Sequence, residues 1–110
     1  MNLKGVQKDV HDWTYQFSPQ YFPPLQILAQ LTEETGEIAR EISHMYGVKK
    51  KRSGEVQEPR LGAELTDLIF AAACMANSHN INLEEEWKRM MEKRRYGRDN
   101  NRFDKKKESK

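Results

Sequence analysis

Residues 24–46 read PLQILAQLTEETGEIAREISHMY, and the spacing within them decides the fold. Leu28, Leu31, Thr35, Ile38, Ile42 and Met45 recur three or four residues apart, which lays them along one side of a helix. Pro23 and Pro24 suit its opening, and Gly47 suits a left-handed position just past its end. At about 100° per residue, Glu34 and Glu41 border that stripe, Glu37 lies slightly further round and Glu33 points nearly opposite.

The flanking segments repeat the pattern. Leu3, Val6, Val10, Trp13 and Phe17 give a first helix that Ser18-Pro19 ends. A third helix is expected from about Arg60 to Ser78, with Leu61, Leu65, Leu68, Ala72 and Met75 as its main stripe. Phe70, Ala73 and Cys74 make its later turns apolar nearly all round, as in a helix buried on most sides. Asn82-Leu83-Glu84-Glu85 is a capping-box pattern that opens a fourth helix, with Leu83, Trp87, Met90 and Met91 inward and Gly97 at its close. Between the second and third helices, residues 48–59 lack periodicity and carry Lys49, Lys50, Lys51 and Arg52, which reads as a mobile basic loop, either a solvated connector or a flap that reaches anionic phosphates. The expected architecture is all-α: a four-helix-type domain over residues 1–97 and a charged tail over 98–110.

Composition narrows the function. Charged residues make up 33% of the chain, yet the net charge is only +2, and much of that balance sits in Lys105, Lys106, Lys107 and Lys110. No basic face on the folded part is implied, so a nucleic-acid partner is not expected. Cys74 is the one cysteine, which suits a reducing compartment and excludes an internal disulfide. The start of the chain has no signal-peptide pattern and no apolar run reaches membrane-spanning length, so the expectation is a cytoplasmic protein without a membrane partner. Its modest apolar fraction favours completing the core by association of copies.

Within this frame two acidic pairs stand out, Glu34-x-x-Glu37 and Glu64-x-x-Asp67. Residues three apart share a helix face, so each pair can present its oxygens together. Four carboxylates brought close repel one another unless a cation or protons offset the charge. A hard divalent cation with oxygen ligands is the natural partner, and Mg2+ is the usual one where phosphates are handled.

The stretch from Leu31 to Arg40, LTEETGEIAR, followed by Glu64-Leu65-Thr66-Asp67-Leu68, resembles the MazG-like nucleotide pyrophosphohydrolases, with their E-E-x-x-E and E-x-x-D helices. The likeness spans about residues 3 to 97. It implies an all-α fold built as a homodimer or dimer of dimers. It also implies Mg2+-dependent cleavage of a nucleoside triphosphate between its α and β phosphates, with Mn2+ as a substitute ion. Glu34, Glu37, Glu64 and Asp67 then occupy the metal-ligand positions, with Glu34 or Glu37 as general base. Glu33 matches the leading acid, an outer-shell partner by its angle. Lys93, Arg94 and Arg95 match basic positions that could hold the phosphate tail, and Trp13 or Tyr21 could grip the base.

Plainer readings stand beside these. Trp13 on an inner stripe is ordinary core, and a helix dipole alone favours basic residues in the last turn of helix four. Asn77 and Asn80 could read a base edge, and capping a helix end is the plainer reading. Glu41-x-x-His44 is the pattern of di-iron carboxylate bundles, although only one such pair occurs where two are needed. A non-enzymatic helical interaction module acting through the basic tail is the third alternative.

Overall fold

The structure is a computed structural model, and it describes residues 1–107, so the expectation for Lys110 lies outside the described residues. Four α-helices follow in order: α1 Leu3–Thr14, α2 Pro24–Tyr46, α3 Leu61–Ser78 and α4 Leu83–Tyr96; a 3-10 turn, Arg98–Asn101, comes last. No strand occurs among the described residues. The domain is all-α, as expected.

Local chemistry explains most of the boundaries. Asn2 accepts from the Gly5 N–H at 2.8 Å and caps α1; Asn82 accepts from the Glu85 N–H at 3.2 Å and caps α4. Helix α1 stops three residues short of the expected Phe17. The Gln20 amide reaches back to the His11 carbonyl and the Thr14 hydroxyl, folding the chain into a turn that seats Phe17 edge-on to Trp13, centroids 5.0 Å apart. Gly47 does end α2, but with extended backbone (φ −94°) rather than the expected left-handed one. Glycine is required there for a different reason, since a Cβ would collide with the Ser43 carbonyl oxygen. The left-handed residue lies after α3 instead, at Asn80 (φ 55°).

Helices α2 and α3 pair antiparallel and form the central seam, with α1 against α3 and α4 against α1. Ile27, 1% exposed, meets Cys74, Ala73 and Val10 in the core, and Val6, Tyr21, Leu31, Phe70 and Met75 pack round them. The inward face of α2 is therefore rotated one residue from the expected stripe. Ile27, Leu31, Glu34, Ile38 and Glu41 are turned in, while Leu28, Ile42 and Met45 are exposed. Helix α3 departs similarly. Its small residues Ala71, Ala73 and Ala76 let α1 and α2 approach closely and are buried, whereas Leu65, Ile69 and Ala72 form an open ridge. No residue of α4 is fully buried, and Trp87 is half exposed.

One polar network ties the ends together. Gln7 donates to Asn77 Oδ1 and to the Ile81 carbonyl, and its own Oε1 accepts from the Leu83 N–H at 2.9 Å. Asn77 donates to the Gln7 carbonyl and to the Tyr21 hydroxyl. Asn77 thus cross-links α1, α3 and the approach to α2 instead of capping its own helix. The radius of gyration is 18.2 Å, against about 13 Å for a compact chain of this length. Four helices of this chain do not close a bundle by themselves.

Candidate functional site

The acids meet on the α2–α3 seam. Carboxylate oxygens of Glu34, Glu64 and Asp67 all lie within 4.8 Å of one another. Glu34 and Glu64 are half-buried, and Asp67 opens to solvent. The antiparallel register brings this about: Glu34 lies opposite Asp67, two turns from the Ile27–Cys74 contact that fixes the pairing. Ala71, fully buried one turn beyond Asp67, keeps the helices close without filling the space beside the oxygens.

Burial, and then the charges of Asp67, Glu64, Glu33 and Glu37, push the Glu34 carboxyl above its usual range. A carboxyl in that position is short of positive charge. Three hard oxygen donors, one of them the proton-attracting Glu34 carboxyl, fit a divalent cation such as Mg2+ or Mn2+.

Glu37 lies one turn along α2 from Glu34, half-buried and close enough to act on its charge. Its oxygens are not among the three that converge. Glu33 is exposed, as its helical angle implied. Lys93, Arg94 and Arg95 occupy the exposed last turn of α4, which packs on α1 rather than along the acidic seam. Arg94 faces Asp99 at 3.9 Å.

Trp13 departs from the core position expected of it. It is 56% exposed and stands edge-on to Phe70 as well as Phe17. With Phe70, Tyr21, Phe22, Gln30 and Cys74 it lines an apolar pocket of about 480 Å³. Gln30 lies one turn before Glu34, and Phe70 three residues past Asp67, so the pocket adjoins the acids on the same seam. Gln30 and Phe70 were absent from the expected site. Their helical phase relative to Glu34 and Asp67 was the available signal.

The basic loop is pinned rather than mobile. Lys51, its side chain 7% exposed, pairs with Glu41 at 3.1 Å and donates to the Glu58 carbonyl at 3.0 Å. Arg40 pairs with Glu55 at 2.7 Å, and the His44 ring meets the Lys49 carbonyl at 3.0 Å. Glu41 is 4% exposed, and both its oxygens are engaged, one by Lys51 and the other by the Arg60 N–H at 3.1 Å. Glu41-x-x-His44 is accordingly part of a loop anchor in which both Glu41 oxygens are already engaged. The expected tail also begins with structure: Asp99 in the 3-10 turn faces Arg94 and Arg102.

Among the described residues, no helix is long and apolar enough to cross a membrane. Known proteins of similar sequence and structure identify the family. The Bacillus subtilis (strain 168) protein YpjD, carried as uncharacterised, is 42% identical over 108 residues, which are 98% of this chain and 96% of that one. A crystal structure of B. subtilis YpjD, described there as a candidate pyrophosphatase, has a TM-score of 0.74 at 42% identity, covering 84% of this chain and 94% of that one. A Bacillus-conserved MazG protein, described as a nucleotide pyrophosphohydrolase, has a TM-score of 0.71 at 42% identity, covering 84% and 88%. The profile of the MazG nucleotide pyrophosphohydrolase domain matches residues 22–103, which include all the acids of the seam and the whole of α2, α3 and α4. The chain belongs to the MazG nucleotide pyrophosphohydrolase family and is an enzyme of that kind.

Proposed function

We propose that this enzyme hydrolyses nucleoside triphosphates between the α and β phosphates in a Mg2+-dependent reaction, with Mn2+ able to substitute. One observation carries the reading: Glu34, Glu64 and Asp67 bring their oxygens within 4.8 Å of one another in a chain of this family. These three side chains, with Glu37 beside them, would hold the ion. When bound, Mg2+ offsets phosphate charge and makes a water it holds more acidic.

The residues of the chain divide the remaining work. A water adds as the α–β anhydride bond breaks, leaving a nucleoside monophosphate and pyrophosphate. The water's proton passes to whichever of Glu34 and Glu37 is not fully engaged as a ligand. Glu33 orients an outer-shell water. Positioning and charge stabilisation supply most of the rate in phosphoryl chemistry, so the fixed α2–α3 register is itself part of the catalyst.

The pocket beside the acids takes the base, with Trp13 and Phe70 offering aromatic surfaces and the Gln30 amide a polar contact. We further propose a homodimer or dimer of dimers. The expanded shape and the open Leu65–Ile69–Ala72 ridge support it, together with exposed Leu25 and Leu28 on α2. In such an assembly Lys93, Arg94 and Arg95 would reach the phosphate tail in a site to which both copies contribute. The role is clearance of surplus or non-standard nucleotides in the cytoplasm, where the single thiol of Cys74 stays reduced.

Phosphorus NMR of the products from a panel of canonical and modified triphosphates with Mg2+ tests the reaction. Monophosphate plus pyrophosphate supports it, whereas diphosphate plus orthophosphate, or no turnover, contradicts it.

A further inference from the structure

Helix α3 carries two of the three converging acids, yet Arg60 at its start offers no side-chain cap. The missing cap comes from α2. Glu41 Oε2 accepts the Arg60 N–H at 3.1 Å, and the Arg60 carbonyl in turn accepts the Glu64 N–H at 3.0 Å. Glu41 Oε1 is held by Lys51, whose ammonium also donates to the Glu58 carbonyl, two residues before Arg60. A single buried carboxylate therefore fixes where α3 begins relative to α2.

The placement bears directly on the acids. Glu41 lies seven residues, about 10 Å, beyond Glu34 on one face of α2. Arg60 lies the same number of residues before Asp67 on the antiparallel helix. Both faces keep their phase over that interval, so a shift of α3 at Arg60 carries Glu64 and Asp67 with it relative to Glu34. The three acids repel one another, and their mutual repulsion would drive such a shift unless something resisted it. Truncating one partner of this buried ion pair would strand the other charge, so both partners have to be present for the anchor to form.

We propose that Glu41, through its buried pair with Lys51 and its cap on Arg60, is a positioning residue that holds Glu64 and Asp67 against Glu34 and so sets divalent-cation affinity. The proposal rests on the metal-site reading above, and the two fail differently.

Manganese binding to the full chain, followed by the loss of the free-ion EPR signal, tests it. The comparison takes the parent, Glu41→Leu, the double variant Glu41→Leu/Lys51→Met, Lys51→Arg and a core control, Val10→Ala. The double variant leaves no unpaired buried charge, so it folds even where the single variant does not. Both Glu41 variants are expected to bind Mn2+ at least about tenfold more weakly than the parent, the usual effect of removing a supporting contact behind metal ligands. Lys51→Arg, which keeps the pair, and Val10→Ala, which weakens the core cluster about two turns from the acids, are expected to stay within about twofold, well short of that loss. Folded Glu41 variants that bind Mn2+ as tightly as the parent would overturn the proposal and leave the metal site standing. An equal loss in Val10→Ala would overturn it by exposing a general effect of instability. A parent that binds no Mn2+ would end both readings.

Discussion

Glu34 on α2 and Asp67 on α3 hold carboxylate oxygens within 4.8 Å of each other across an antiparallel helix seam, with Glu64 closing the triangle. Such an arrangement lowers the stability of the metal-free protein and gains its use when a cation enters. Asp67→Asn should therefore melt at a higher temperature than the parent in chelator. Added Mn2+ should raise the melting temperature of the parent and leave that of the variant nearly unchanged. Hydrolysis should fall at least about 100-fold, the scale on which losing one essential electrostatic group is felt. Calorimetry with and without Mn2+, beside a pyrophosphate-release assay, checks all three.

Trp13 should act on substrate binding more than on the chemical step. It lines the apolar pocket edge-on to Phe70 and is not among the three residues whose oxygens converge. Base–aromatic stacking is worth about 1–3 kcal/mol, so Trp13→Ala should raise KM by about 5- to 150-fold with kcat changed far less. Steady-state kinetics on one triphosphate decides it. A matching fall in kcat with KM unchanged would remove Trp13 from the base site.

Leu65 and Ile69 lie exposed on α3, the helix that carries Glu64 and Asp67. Placing Glu at either position should separate the copies while leaving each one helical. Light scattering should then move from a multiple of 13.0 kDa to that mass itself. A parent that is already 13.0 kDa would contradict the proposed assembly.

The Glu41 carboxyl is held below its usual value of 4.5 by the Arg60 N–H first, and by Lys51, against the opposing push of burial. A depressed folded pKa contributes stability that is complete above the unfolded value and is lost as pH falls through the folded one. The stability gap between the parent and Glu41→Gln should be full at neutral pH, begin to narrow below 4.5 and close in stronger acid. Urea denaturation at a series of pH values measures it. A gap that stays constant or widens into acid would contradict the assignment.

The sequence made the helices legible because their ends depend on local chemistry: Asn82 before a capping pattern, paired prolines before α2, a glycine after it. It also made the acid pairs legible, since three-residue spacing and apolar flanks are local properties. What it did not reveal depends on the partner surface. Periodicity gave α2 and α3 each an apolar stripe, but both helices are apolar on more than one side. On α3 the side carrying Ala71, Ala73 and Ala76 is the one buried, a choice set by the facing helices α1 and α2. The inward turn of Lys51 was hidden for a related reason: in a run of four basic residues, only tertiary structure selects the one that meets Glu41. Between the core and base-gripping readings of Trp13 the sequence could not choose, because its stripe continues to Phe17, whereas the chain turns after Thr14 and opens a pocket there.

The most direct test of the acid seam is the anomalous scattering of crystals soaked with Mn2+ and a non-hydrolysable triphosphate analogue. A peak enclosed by the carboxylates of Glu34, Glu64 and Asp67, with the analogue's phosphates against it, is the predicted result. Density showing those side chains turned apart into solvent, and manganese bound elsewhere or not at all, would contradict it.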